Sequence, residues 1–273
     1  MIKLPRAFGA FALVWTTLAG AGCQKQSAPE PSAAAGPTAP AGPIAPVTPV
    51  TAGATTGTAI APPAGHAIIT GAVKLSGTPP EMPLTKRDAD PFCARTPMKD
   101  EEVVVGPGGG LKNVVVRVTQ GADGHYEPPA TIAAVDQSAC MYRPRVQAIV
   151  AGQMISIRNG DQTLHNVHGY KGASTLFNQA EIPGLPPIAR KLGDAGDVLK
   201  FKCDVHPWMT GYVVVSDNPF FAVSGADGQF KIGDVPPGKY TLTAWHERYG
   251  TKTTEVTVAA DKPTEVSFQY DAH

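Results

Sequence analysis

Short apolar runs bounded by glycine and proline recur along most of this chain, and none keeps the three-to-four spacing of a long helix face. Residues 68–75 alternate apolar with small or polar side chains and stop at Gly77-Thr78-Pro79-Pro80. The same pattern predicts strands over 102–105 and 111–118, split by the glycine-rich turn at 106–110. Strands are also predicted over 131–135, 146–150 and 154–158, the last two parted at Gly152. Further strands over 199–202 and 211–215 flank a loop rich in sulfur and imidazole. The remainder reads as strands over 220–223, 229–232, 240–246, 253–258 and 264–270, and the one helical expectation is a short turn at 88–95. Many short strands with Gly/Pro turns predict an all-β chain of sandwich type.

Composition changes the picture before residue 67. Gly and Pro number 29 and 27, and much of that excess lies in 24–66, an Ala/Pro/Gly/Thr tract almost without charge or large apolar groups. Such a tract cannot bury enough surface to offset its ordering entropy, so 23–66 is expected to be a disordered tether. Ahead of it, Lys3 and Arg6 precede an apolar stretch, 7–18, too short to span a bilayer, and small residues lead into Cys23. Residues 1–22 resemble a bacterial lipoprotein signal, although Gly20 stands where that pattern prefers Leu. The resemblance implies acylation of Cys23 and a lipid-anchored protein of the periplasm, with the outer membrane favoured by Gln24. Ordinary secretory cleavage near Ala21 is the alternative.

Charge adds one exclusion: Lys plus Arg equals Asp plus Glu at 23 each, so no net charge argues for nucleic acid. Of the four cysteines, Cys23 goes to lipid and Cys203 to the loop rich in sulfur and imidazole. Cys93 and Cys140 remain as an even pair in an oxidising compartment, and a disulfide between them is expected. The alternative is two buried thiols.

The candidate chemistry sits in Cys203-Asp204-Val205-His206-Pro207-Trp208-Met209, with a second imidazole source upstream at His165-Asn166-Val167-His168. One Cys, two His and one Met is the ligand set of a mononuclear blue-copper site, with trigonal thiolate and imidazoles and a weak axial thioether. Structural zinc recruits a fourth Cys or His rather than Met. A catalytic cysteine would need an oxyanion donor and a group orienting its base, and neither is evident. Lys202 and Asp204 flank Cys203 where a multicopper oxidase carries His, no His-x-His pair occurs, and Cys203 is alone in its loop. No enzyme activity is therefore expected. His246 reads as a structural histidine at a strand end.

Residues 141–216, from MYRPRVQAIVAGQM to KFKCDVHPWMTGYVVV, resemble a cupredoxin of the amicyanin and plastocyanin type. The resemblance implies His165, Cys203 and His206 as strong copper ligands and Met209 as the axial one. It also implies that Asn166 hydrogen-bonds across to the cysteine loop. The loop 169–197 departs from the family. The run DGQFKIGDVPPGKYTLTAW resembles the carboxypeptidase regulatory-like family, a small transthyretin-like sandwich, and ITGAVKLSGTPP at 69–80 looks like that family's opening strand. The expected organisation is thus a signal at 1–22, the tether at 23–66, a β segment at 67–129 and two domains. These are a cupredoxin-like Greek-key sandwich at 130–216 and a regulatory-like domain at 217–273. Either 67–129 packs with the tail as one discontinuous sandwich or it simply extends the copper domain.

The function this implies is one-electron transfer by a monomeric, membrane-tethered periplasmic blue-copper protein that meets a redox partner protein. His206, placed on an exposed loop, is the expected electron port, with Pro207 and Trp208 as an apolar docking surface. Copper handling without electron transfer, and a non-redox β scaffold binding glycan or protein, are the alternatives.

Overall fold

The computed structural model describes residues 65–273, so the expected signal, Cys23 and all but the last residues of the tether lie outside the described residues. What is described is β-strand and turn, with helix only in short 3-10 turns such as Cys93–Arg95. The chain opens in β1 (Ala67–Ser76), makes a long excursion, and returns in β2 (Val115–Gln120). Next come β3 (Ala133–Ser138), β4 (Met141–Arg143), β5 (Val146–Val150), β6 (Met154–Asn159), β7 (His165–Lys171) and β8 (Ser174–Glu181). Then come β9 (Ile188–Lys191), β10 (Val198–Lys202) and β11 (Thr210–Ser216). The chain closes with β12 (Phe221–Val223), β13 (Gln229–Val235), β14 (Gly238–His246), β15 (Gly250–Val258) and β16 (Thr264–Asp271).

These strands build two sandwiches. In the first, the sheet β5-β11-β10-β7-β8 packs on β4-β3-β6-β9 around a core that includes Ile149, Ile155, Ile157, Val167, Leu199 and Phe201. In the second, β13-β1-β16 packs on β12-β2-β14-β15 around Ile69, Val73, Leu111, Leu242 and Tyr270. Strand β1 lies between β13 and β16, antiparallel to one and parallel to the other. Alternation drives this placement: Ala67, Ile69, Val73 and Leu75 point into the core from one face of β1. On the same face, a Cβ at Gly71 would stand 1.6 Å from the Val266 carbonyl oxygen, so only glycine lets the backbones approach there.

Several elements differ from what the sequence pattern predicts, among them the short strands β4 and β9, which it does not announce. Residues 102–105 form no strand and contribute one isolated bridge, Val105 to Leu111. Conversely, the stretch expected as a loop after Gly169 is a long hairpin, β7 on β8, turning at Gly172 with φ of 57°. Strand β8 is a sheet edge, exposed along most of its length, so the alternation that marks a half-buried strand never appears in STLFNQAE.

The sandwiches share an apolar seam made by Val115, Val146 and Val214, with Tyr212, Val223 and Trp245 packed against it. It explains the unbroken valine runs of β2 and β11. Val116 and Val118 face the second core while Val115 faces the seam; Val213 and Val215 face the first core while Val214 faces the seam. Polar links reinforce the seam. Arg117 Nη1 donates to the Val215 carbonyl at 2.8 Å, and Arg145 grips Glu247 with Nε and Nη2 at 2.6 and 2.8 Å. Burial alone would lower the Arg145 pKa, but hydrogen bonds to Glu247 outweigh it and raise it.

His246 ends β14 fully buried, stacked on Tyr249, with its Nδ1 accepting the Arg248 amide at 3.2 Å. Its Nε2 finds no partner among the described residues. Burial, aided by Arg145 and Arg248, pushes its pKa down to about 4. The unfolded chain takes up this proton below about pH 6.5, whereas the folded one resists it. The contribution is therefore complete above about pH 6.5 and lost as pH falls through 4, amounting to about 3 kcal/mol. Urea unfolding at pH 7 and pH 4 should show this loss in the parent protein and a smaller one in His246→Phe.

Candidate metal centre

The ligand loop joins β10 to β11, and its turn is made by backbone bonds. The Met209 amide donates to the His206 carbonyl at 2.9 Å and the Cys203 amide to the Met209 carbonyl at 3.3 Å. This turn carries Cys203, His206 and Met209 inward, where all three are buried in or against the first core, while Pro207 stays exposed. His165 opens the neighbouring strand β7, which pairs with β10, and so reaches the same end of the sheet. Donor atoms of His165, Cys203 and His206 lie within 4.8 Å of one another. His165 Nδ1 stands 2.8 Å from His206 Nδ1, and Cys203 Sγ stands 3.8 Å from His206 Nδ1.

Asn166 crosses to the cysteine loop. Its side-chain oxygen accepts the Asp204 amide at 2.6 Å and lies 3.2 Å from Cys203 Sγ, while its own amide approaches that sulfur at 3.5 Å. Burial alone would raise the Cys203 thiol pKa. Hydrogen bonds from His165 and from the amides of Asn166, His206 and Val205 outweigh it, leaving the thiol below its ordinary value. His168 turns to the opposite side of the strand, toward Asp204, Tyr170 and Thr175.

The outer edges of both ligand imidazoles meet carboxylates. His165 Nε2 pairs with Asp161 Oδ2 and His206 Nε2 with Asp90 Oδ2, each at 2.9 Å. Desolvation would raise the pKa of both acids. For Asp161 the His165 bond and the amides of Cys140 and Ala139 outweigh it; for Asp90, Thr163, His206 and the amides of Cys93 and Phe92 do so. Both carboxyls therefore lie below the usual range. Burial lowers His206, whereas His165 is raised because the Asp161 and Cys203 bonds outweigh its burial. Behind them, burial pushes Glu181 up to about 7, and its carboxyl accepts from Gln137.

His206 corrects the expectation of an exposed port. It is 2 % exposed, because residues 83–100 fold over it as a strap. The strap is a narrow loop held at its base by Thr85 N to Met98 O at 2.8 Å and Asp100 N to Pro83 O at 2.9 Å. Its tip carries Asp90 and Cys93, and Cys93 is bonded to Cys140. Trp208 is half-buried rather than spread on the surface, with its indole donating to the Cys140 carbonyl at 3.0 Å. No motif in the sequence singles out Asp90, Asp161 or Thr163. Asp161 stands four before His165, but nothing local ties Asp90 to a histidine 116 residues away.

Residues 211–271 match the family model described as carboxypeptidase regulatory-like domain. That match begins in β11, which belongs to the first sandwich, and leaves out β1 and β2 of the second. No curated protein matches the chain. Among solved structures, the chain is similar to a purple cupredoxin from Nitrosopumilus maritimus, at 26% identity over 31% of this chain and 99% of that one, with a TM-score of 0.28. It is also similar to amicyanin from Paracoccus versutus, at 24% identity over 37% of this chain and 97% of that one, TM-score 0.29. A copper-containing nitrite reductase from Thermus scotoductus is similar at 17% identity over 36% of this chain and 25% of that one, TM-score 0.28. At such TM-scores the likenesses carry no functional weight, and the chemistry of the site rests on its donor atoms.

Proposed function

We propose that this chain binds a single copper ion through His165, Cys203 and His206, with Met209 as a weak axial ligand, and serves one-electron transfer. The observation that carries this reading is the pair of facing Nδ1 atoms 2.8 Å apart beside a buried thiol of lowered pKa. Each Nε2 pairs with a carboxylate, so the inward nitrogen of both rings is Nδ1, and both would offer lone pairs to a cation that displaces the proton shared between them. Two imidazole nitrogens and a thiol sulfur that converge within 4.8 Å in a buried site suit a cation, which would be held by their deprotonated forms. The donor set selects among cations: one soft thiolate with two imidazoles and a thioether suits copper in either oxidation state.

When bound, copper supplies a one-electron couple. The chain's own residues hold the site in one arrangement: Asn166 steadies the sulfur, the carboxylates orient the imidazoles, and the buried loop excludes water. Small rearrangement favours electron transfer, and a buried ligand set with few exposed thioethers disfavours exchangeable copper handling. Export and a lipid anchor at Cys23 belong to the same proposal, supported by the leader sequence and the Cys93–Cys140 disulfide, and a non-enzymatic role by Lys202 and Asp204 flanking Cys203.

Copper(II)-loaded protein should show an intense visible thiolate-to-copper band and a reversible one-electron wave. Cys203→Ser should lose the band altogether. A parent protein without the band, or a band that survives in Cys203→Ser, overturns the proposal.

A further inference from the structure

We propose that the strap 83–100 is a built-in clamp on this centre, with Asp90 the positioning residue for His206, Asp161 the positioning residue for His165, and the Cys93–Cys140 disulfide yoking the two. The purpose of the clamp rests on the copper reading; its geometry does not.

A closed ring of contacts carries the inference. Asp90 Oδ2 meets His206 Nε2 at 2.9 Å, and Asp90 Oδ1 accepts the amides of Phe92 and Cys93 at 2.7 and 3.2 Å. On the other side, Asp161 Oδ2 meets His165 Nε2 at 2.9 Å and accepts the Cys140 amide at 2.7 Å, while Oδ1 accepts the Ala139 amide at 2.8 Å. Cys93 and Cys140 are bonded, so each half-cystine amide holds the carboxylate that holds one imidazole. Thr163 adds a hydroxyl bond to Asp90 Oδ2 at 2.7 Å, and Cys93 Sγ lies 3.7 Å from His206 Nε2.

The turn that presents those amides is strained. Ala139 and Cys140 take φ of 52° and 55°, a left-handed pair for which hairpins ordinarily use Asn-Gly. Each non-glycine residue held there costs on the order of 1 kcal/mol or more and persists only when its surroundings over-determine it. Asp161 supplies that constraint from inside. Arg87 supplies it from the strap, donating to the carbonyls of Ala139 and Thr96. A buried guanidinium, a strained turn and a disulfide converging on two histidine edges exceed what a surface loop needs for its own order.

The clamp acts on the centre in two ways. A carboxylate at Nε2 fixes the tautomer and raises the basicity of the ligand, which favours the higher oxidation state of a bound metal. The strap also shuts the His206 edge to outside ligands and to a docking partner.

The test uses the full chain with Asp90→Asn and Asp90→Ala. In metal-free protein, nitrogen-15 correlation spectra should show His206 as the Nε2–H tautomer in the parent and as a tautomer mixture in Asp90→Ala, with His165 unchanged. In copper-loaded protein, Asp90→Asn should bind copper roughly 10–100-fold more weakly in chelator competition and show a higher reduction potential. Exogenous imidazole should perturb the visible band of Asp90→Ala and leave the parent band unaltered. Loss of positioning in the tautomer spectra without any thiolate band in the parent sinks the copper reading and leaves the clamp standing. An unchanged His206 tautomer in Asp90→Ala, with unchanged affinity and potential in Asp90→Asn, overturns the clamp.

Discussion

Replacing Cys93 and Cys140 together by serine is expected to lower the unfolding free energy by about 4 kcal/mol, the loop-closure entropy released when a cross-link across 47 residues is removed. The loss falls on the unfolded ensemble first, yet it has a folded-state counterpart here. Without the bond, the strap tip is held over His206 only by Arg87, Asp90 and the pairing at its base. The Ala139-Cys140 turn also loses one of its constraints, leaving Asp161 and Arg87 to hold its left-handed residues. Urea unfolding of the double variant against the parent, both metal-free, measures the effect. A difference under about 1 kcal/mol would mean that the strap and the turn are ordered by their remaining contacts, and that the disulfide yokes nothing.

A comparable loss is expected where the two sandwiches meet. Glu247→Ala should destabilise the protein by about 3–5 kcal/mol, because it leaves Arg145 charged and buried with its carboxylate removed. Water has little access to replace that carboxylate: the Arg145 side chain is 5 % exposed, and its other acidic neighbour is Asp100, at 3.8 Å. The double replacement Arg145→Met with Glu247→Leu should recover most of the loss, since two apolar groups of similar size remove both charges at once. Urea unfolding of Glu247→Ala, Arg145→Met, Glu247→Leu and the double variant reads these effects. If the double variant loses as much as Arg145→Met and Glu247→Leu summed, the pair contributes no coupling. Asp100 also closes the base of the strap, so the charged variants bear on the metal end as well.

Much of this molecule is legible in its residues. Alternation in IITGAVKL, TEVSFQY and GKYTLTAW announces strands because each of those strands has one buried and one open face. The CDVHPWM loop announces a soft-metal ligand set because its three donors are presented by one short turn. Where both faces or neither are buried, alternation vanishes. NVVVRV and GYVVVS read as uniform apolar runs, and STLFNQAE as a polar loop, although all three are strands.

The legible features are local: residue types, donor spacing, turn chemistry and the period of burial, each set within a few bonds along the chain. Long-range packing selects which carboxylate meets which imidazole, lays residues 83–100 across His206, and joins the sandwiches by a buried Arg145–Glu247 pair. Those contacts bridge segments about a hundred residues apart. Strand β1 lies between β13 and β16 in one sandwich, while the tip of the strap that follows it meets His206 and Cys140 of the other. No side chain carries a mark of its partner when the partner is chosen by the path of the backbone. For that reason His206, an exposed loop residue by its sequence, becomes a buried ligand once the chain has closed over it.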